Sequence, residues 1–191
     1  NNPNYTGSAS QVAAYKASVA GYSASVNGNS DGSHNVNTNS TPPDKTQATA
    51  YNYVYALSWT NGQSDALLGA KDYEDGKNND YDQGVSGRAK SVGFADAQRG
   101  HDDVIGKKAA SGNLTESYKL GRDTTKASQG ALVDTINGVN NVSTSQFKNA
   151  YQDVQGAFHD AAQAILDNPD HPSAGPQGKS VPYQDAYNSA I

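Results

Sequence analysis

The chain has no cysteine, no methionine and few large aliphatic side chains. Without cysteine there is no disulfide, no thiolate nucleophile and no cysteine-ligated metal, although that absence does not by itself name a compartment. The start at Asn1 without an initiator methionine reads as a segment excised from a longer chain. No apolar run approaches the roughly 18 residues that a membrane span needs, and no signal peptide is present. Leu, Ile, Val and Phe number 7, 4, 13 and 3 in 191 residues. Their share, about 14%, lies below the roughly 20% at which disorder is expected, but only when net charge is high. Here the net charge is −5, from 14 basic and 19 acidic groups. That mild acidity argues against a nucleic-acid partner, whose phosphates would repel this surface.

What replaces the missing apolar volume is Ala, 26 residues, and Tyr, 12 residues. Tyr buries its ring and keeps its hydroxyl bonded or wet. The expectation is therefore a folded but thin core of Ala and Tyr. The rest of the chain is dominated by uncharged Asn, Ser, Thr, Gln and Gly, a bias more typical of exported surface proteins than of cytoplasmic enzymes.

One figure recurs between Gly62 and Asp103: Gly, two residues, Asp, three residues, Gly. It runs Gly62, Asp65, Gly69, Asp72, Gly76, then Gly93, Asp96, Gly100, Asp103. Alternating steps of three and four mark one face of a helix. A seam of Gly and Asp excludes an ordinary coiled coil and predicts helices that approach closely over small residues. A Gly inside a helix costs about 1 kcal/mol relative to Ala, so the return must come from close backbone contact. Asp on such a stripe needs a partner at the seam edge: a Tyr hydroxyl, Ser, Asn, or a cation such as Arg88 or Arg99. The competing reading, an Asp ladder for calcium, fails on spacing. Asp residues seven apart on a helix lie about 10 Å apart, too far for one ion unless two helices face each other.

The predicted architecture is all-α, a bundle of five or six helices with close Gly/Ala packing and long polar loops. Residues 1–9 read as a linker and 10–191 as a single helical domain. Ser10 caps a first helix to about Val26, with Val12, Tyr15, Val19, Tyr22 and Val26 on its seam and Asn27-Gly28 as its stop. Residues 27–43 read as a long loop, mobile or ligand-binding. Asp44 or Thr46 caps a second helix, which carries the Gly/Asp figure to Gly76 unless Asn61-Gly62 breaks it. After a turn at 77–87, a third helix covers 88–110 and closes at Ser111-Gly112. Thr115 caps a fourth with the seam Gly121, Thr124, Ser128, Ala131, Thr135, Gly138. Ser143 or Ser145 caps a fifth to Leu166, with Phe147, Ala150, Val154, Ala157, Phe158, Ala161, Ala164 and Ile165 on its apolar side. Residues 183–191 start a further helix.

No phosphate loop, dinucleotide fingerprint or nucleophile elbow occurs. The four histidines, His34, His101, His159 and His171, include no i, i+4 pair, so zinc is not expected. His101-Asp102 and His159-Asp160 are neighbours on a helix that point about 100° apart, and are not expected to form a relay. No metal and no cofactor is implied. The acidic stretch Asp72, Glu74, Asp75, Asp80 and Asp82 lacks the order of an EF-hand loop and reads as a solvated turn. Trp59, the sole Trp, stands near Tyr51, Tyr53 and Tyr55 among several amides. Tyr55 and Trp59 lie at i, i+4 and share a face. That face is either the thickest piece of the core or a stacking platform for a sugar ring, with Asn52, Asn61 or Gln63 reading hydroxyls.

The segments GQSDALLGAKDYEDGK, GFADAQRGHDD and YQDAYNSA, with their repeated Tyr, Asp-Ala and Gly, resemble the repeat regions of secreted, cell-wall-associated adhesin-type proteins of lactic-acid and related Gram-positive bacteria. The likeness covers about residues 46–110 and the last ten. It implies an extracellular, non-enzymatic surface module, tethered to the wall, that binds host or wall glycan or acts as a repeat spacer beside neighbouring repeats of its own chain. No wall-anchor motif is present, and the family supplies no catalytic residues. The alternative is a wall-active hydrolase using the carboxylates near 72–82.

Overall fold

The computed structural model describes residues 5–38, 42, 44–142 and 147–191. Among them the chain forms six α-helices and one short 3₁₀ turn, with no strand: α1 (Ala9–Ser33), the turn Lys45–Gln47, α2 (Ala48–Glu74), α3 (Val85–Ile105), α4 (Glu116–Ile136), α5 (Lys148–Asp167) and α6 (Val181–Ala190). The all-helical expectation holds. The residues divide into two compact units, one of 1–68 with 80–93 and one of 69–79 with 94–191.

In the first unit α1 corrects two expectations. It starts two residues early, because Ser8 accepts the Gln11 N–H while the Gln11 side chain accepts the Ser8 N–H, a reciprocal capping box. It then runs through Asn27-Gly28 to Ser33, taking over the first part of the presumed loop. The physical reason is packing. A Cβ on Gly28 would meet Tyr55 backbone and come within 3.1 Å of Ser58 Cβ, and one on Gly32 would collide with the Trp59 carbonyl. The intrinsic weakness of Gly in a helix is offset by backbone-to-backbone contact that only Gly allows. The seam is also displaced from the expected one. The buried positions are Ala20, Ala24, Gly28, Asn29, Gly32 and Ser33, while Tyr22 is 71% exposed. The same contact keeps α2 unbroken at Asn61-Gly62, where a Cβ on Gly62 would strike the Asn29 carbonyl. Asp44 caps the 3₁₀ turn by accepting the Thr46 N–H at 2.9 Å. Gly93 repeats the crossing against the Ala66 carbonyl.

In the second unit Gly100 lies on the Tyr118 carbonyl and Gly121 on the Ala97 carbonyl, so α3 and α4 cross over glycine from both sides. Thr115 caps α4 as expected, accepting the Tyr118 N–H at 3.1 Å. Helix α3 spans Val85–Ile105, shifted from the expected 88–110, and stops at Gly106-Lys107. Helix α5 enters from Phe147 without a side-chain cap, and the candidates Ser143 and Ser145 lie outside the described residues. Its buried face, Ala150, Tyr151, Val154, Ala157, Ala161 and Ala164, packs with Tyr183, Ala186 and Tyr187 of α6. Ser180 caps α6.

A period longer than seven residues emerges at the helix ends. Four helices finish in the same motif, in which the N–H of the second residue past the cap bonds back five positions to the carbonyl of an Asp: Val36 to Asp31, Lys77 to Asp72, Lys108 to Asp103 and Val139 to Asp134. The residue before each donor has positive φ: Asn35, Gly76, Lys107 and Gly138. Asp72, Asp103 and Asp134 stand 31 residues apart. At the same interval stand Gly62, Gly93 and Thr124; Ala66, Ala97 and Ser128; and Gly69, Gly100 and Ala131. One helix-plus-turn unit is thus written three times across α2, α3 and α4.

Candidate functional site

An Asp at the C-terminal end of a helix faces the negative end of the dipole and needs compensation. The fold supplies it with tyrosine. Tyr55 Oη donates to Asp31 at 2.5 Å, Tyr118 Oη to Asp103 at 2.9 Å and Tyr151 Oη to Asp134 at 3.1 Å. Each Tyr belongs to the helix that follows. Tyr183 fastens α6 to α5 in a related way, donating to Asp160 at 2.6 Å. Burial first, then the bond to a carboxylate, pushes both Tyr55 and Tyr183 up to about 12. Burial works against ionisation of Asp31, but hydrogen bonds from Thr38 and Tyr55 hold it below the usual carboxylate range. The expectation that seam Asp residues find a Tyr hydroxyl, Ser, Asn or a cation is met at Asp103, at Asp72 through Lys77, and at Asp96, which takes Arg99 at 3.0 Å as well as Thr115 Oγ1 at 2.6 Å. Arg88 turns instead to the Gln83 carbonyl.

The aromatic face expected to bind sugar is brought together in part. Tyr55, Trp59 and Gln63 share one side of α2. All three are spent on the segment that follows α1: Trp59 Nε1 donates to the Val36 carbonyl at 2.7 Å, Gln63 to Asn35 at 3.2 Å, and Tyr55 reaches Asn37 as well as Asp31. Trp59 is half-buried, with its N–H engaged. Asn52 is exposed. Asn61 lies on another side of the helix, at an open depression of about 300 Å³ lined also by Ser25, Asn29, Ser58, Ser64 and Asp65. A second cavity of the same unit, about 210 Å³, runs between Val26, Asn29, Ser33, Val85, Arg88 and Val92.

The acidic residues of the alternative reading have separate fates. Lys77 binds Asp72 at 2.6 Å and approaches Asp75 at 3.6 Å. Asp82 accepts the Gly84 N–H at 2.7 Å, and Asp80 is exposed. Glu74 differs: its Oε1 is buried with no hydrogen-bond partner, and burial pushes the carboxyl up to about 8. The histidine expectation is corrected. His101 Nδ1 lies 3.0 Å from Asp102 Oδ1 of the neighbouring residue, and Nε2 lies 2.7 Å from Asp185 on α6. His159 likewise stands 3.6 Å from Asp160. Among the described residues no group of three or more His, Asp or Glu could hold a metal, and no helix is long and apolar enough to cross a membrane.

Sequence reasoning missed the pairing of His101 with Asp185, 84 positions away, for which no local signal exists. It also missed the 31-residue interval, which the positions of Asp72, Asp103 and Asp134 carried in plain sight. No family model matches the chain, and neither a curated protein nor a solved structure resembles it at a meaningful level.

Proposed function

We propose that this chain is a non-enzymatic extracellular surface module whose work is that of a repeat spacer, holding a helical array in shape rather than turning over a substrate. The observation that carries the reading is the 31-residue unit. One helix and one Asp-terminated turn recur across α2, α3 and α4, with a glycine crossing at the matching positions Gly62 and Gly93 and the small residue Thr124 in α4. Periods of 20–50 residues characterise arrays in which each unit buries its face only against its neighbours. Such proteins grow by duplication, and length is the property that duplication changes. The composition and the resemblance to wall-associated repeat regions point to the same setting. The polar atoms of Tyr55, Trp59 and Gln63 are engaged by backbone and side chains of the same unit.

Glycan binding is the second reading, favoured by one feature: the hydroxyl and amide groups around Asn61 and Asp65 face an open depression. Incubation with purified wall and mucin glycan separates the readings. A spacer is neither retained nor releases sugar. Displayed between a wall anchor and an epitope tag, it raises antibody access to the tag relative to a tag fused directly to the anchor. Retention that is lost in Asn61→Ala would make the chain an adhesin. Release of soluble sugar or peptide would make it a hydrolase and overturn the proposal.

A further inference from the structure

Three elements of the second unit meet around the largely buried imidazole of His101. His101 of α3 stands between two carboxylates, Asp185 of α6 at 2.7 Å and Asp102 of its own helix at 3.0 Å. The end of α2 contributes Tyr73, whose ring meets the imidazole edge-on at 5.9 Å, and Glu74, whose Oε1 is buried without a partner. Asp75, next along α2, adds a further negative charge that acts on Glu74. The His101 side chain is only 13% exposed. A buried ion pair whose partner is removed, or a buried carboxylate left unpaired, is strongly unfavourable. The cluster is therefore favoured with His101 charged beside its two carboxylates and Glu74 neutral. Its net charge is then −1. Loss of both protons leaves three carboxylates, Glu74 among them, around a neutral imidazole, a net charge of −3 at a site where His101 and Glu74 Oε1 are buried while Asp185 and Asp102 stay 36% and 62% exposed.

We infer that the Glu74–His101–Asp185 cluster is an acid-fastened latch, which pins α6 to α3 at mildly acidic pH and loosens α6 as the surroundings become alkaline. The direction follows from both titrating groups. The Asp185 hydrogen bond leads the rise of His101 from 6.5 to about 9, so its stabilisation is complete below 6.5 and is lost as pH climbs toward 9. Burial raises Glu74 from 4.5 to about 8, so an increasing penalty accrues between 4.5 and 8, where the unfolded chain would be ionised and the folded one is not. The two act with the same sign and, being coupled, titrate as a pair. Tyr73 is pushed up by burial and by Asp102, Asp185 and Glu74, and stays neutral throughout. Both groups therefore fasten the latch on the acid side of neutrality and release it toward pH 9.

The test is amide exchange on the intact chain at pH 6 and pH 9, corrected for the intrinsic rate. Protection of α6 should fall by at least about tenfold between the two, one pKa unit's worth, while that of α4 and the α1–α2 crossing changes less. Glu74→Gln, which keeps the shape and removes the titration, should shrink the fall. His101→Gln should lower α6 protection at pH 6 to near its pH 9 value. Equal protection of α6 at both pH values, a fall spread evenly over all helices, or a fall unaltered by Glu74→Gln would each overturn the latch.

Discussion

The crossing of α1 and α2 rests on the absence of a single methyl group at Gly32, and adding one gives a decisive test. A Cβ built there lies 2.7 Å from the Trp59 carbonyl carbon and 2.9 Å from its Cα. Ordinary contact begins at 3.4 Å, and both atoms are backbone, which cannot rotate away. The Trp59 carbonyl oxygen lies closer still, so the two helices must separate by about 1 Å or more, which loosens dispersion contacts along the crossing and strains the Trp59–Val36 hydrogen bond. Overpacking of this kind costs about 1–3 kcal/mol. Against it stands the helix-propensity gain of Ala over Gly, at most about 1 kcal/mol. The net expectation for Gly32→Ala is a loss of about 1–2 kcal/mol, or a melting temperature lower by about 2–8 °C for a chain of this length. Gly21→Ala is the matched control on the same helix. Nothing lies within 4 Å of its Cβ position, so propensity alone acts and the melt should rise by a few degrees. Thermal unfolding followed by helical circular dichroism reads both. A Gly32→Ala protein that melts at or above the parent would refute close backbone contact as the reason α1 passes through Asn27-Gly28.

Two further outcomes follow from particular residues. Lys107 holds φ of 54° at the position where the sister turns carry Gly76 and Gly138. Lys107→Gly should therefore stabilise by about 1 kcal/mol, and a lowered melt would show that the Lys side chain contributes more than its strained backbone loses. Trp59→Ala should release the backbone at Val36, so that limited proteolysis cuts within residues 35–38 faster than in the parent while glycan retention stays unchanged. A variant as resistant as the parent would mean that the indole N–H does not hold the segment in place.

Much of the fold was legible because its signals are local. The spacing of Gly121, Thr124, Ser128 and Ala131 made one face of α4 small, and all four are buried. Thr115 announced its helix because a hydroxyl three residues ahead of Tyr118 can take an orphan N–H in that one place. The apolar side of α5 was readable from Ala150, Val154, Ala157, Ala161 and Ala164, a simple periodicity of burial. What failed was also physical. Asn27-Gly28 stops an isolated helix, and nothing near it in sequence reveals that Tyr55 and Ser58 would lie against Gly28. The sugar-binding reading of Trp59 and Tyr55 rested on density of residue types, which says nothing about whether Val36 and Asp31 would claim their polar atoms first.

By itself the sequence determined that the chain is helical, that its seams are made of Gly, Ala and Asp, and that no cysteine chemistry or apolar membrane span is available to it. These follow from residue size, capping and spacing, which act within one or two helical turns. Only the tertiary structure decided which glycines are crossings and which are bare, since Gly32 and Gly21 are the same residue in the same helix and differ only in what stands opposite. It also decided that tyrosine hydroxyls compensate Asp31, Asp103 and Asp134 while Lys77 takes Asp72, and that His101 meets Asp185 across 84 positions. The reason in each case is the same: a hydrogen bond or a van der Waals contact is fixed by separations of about 3–4 Å, and that distance is set by how helices cross, not by their order along the chain.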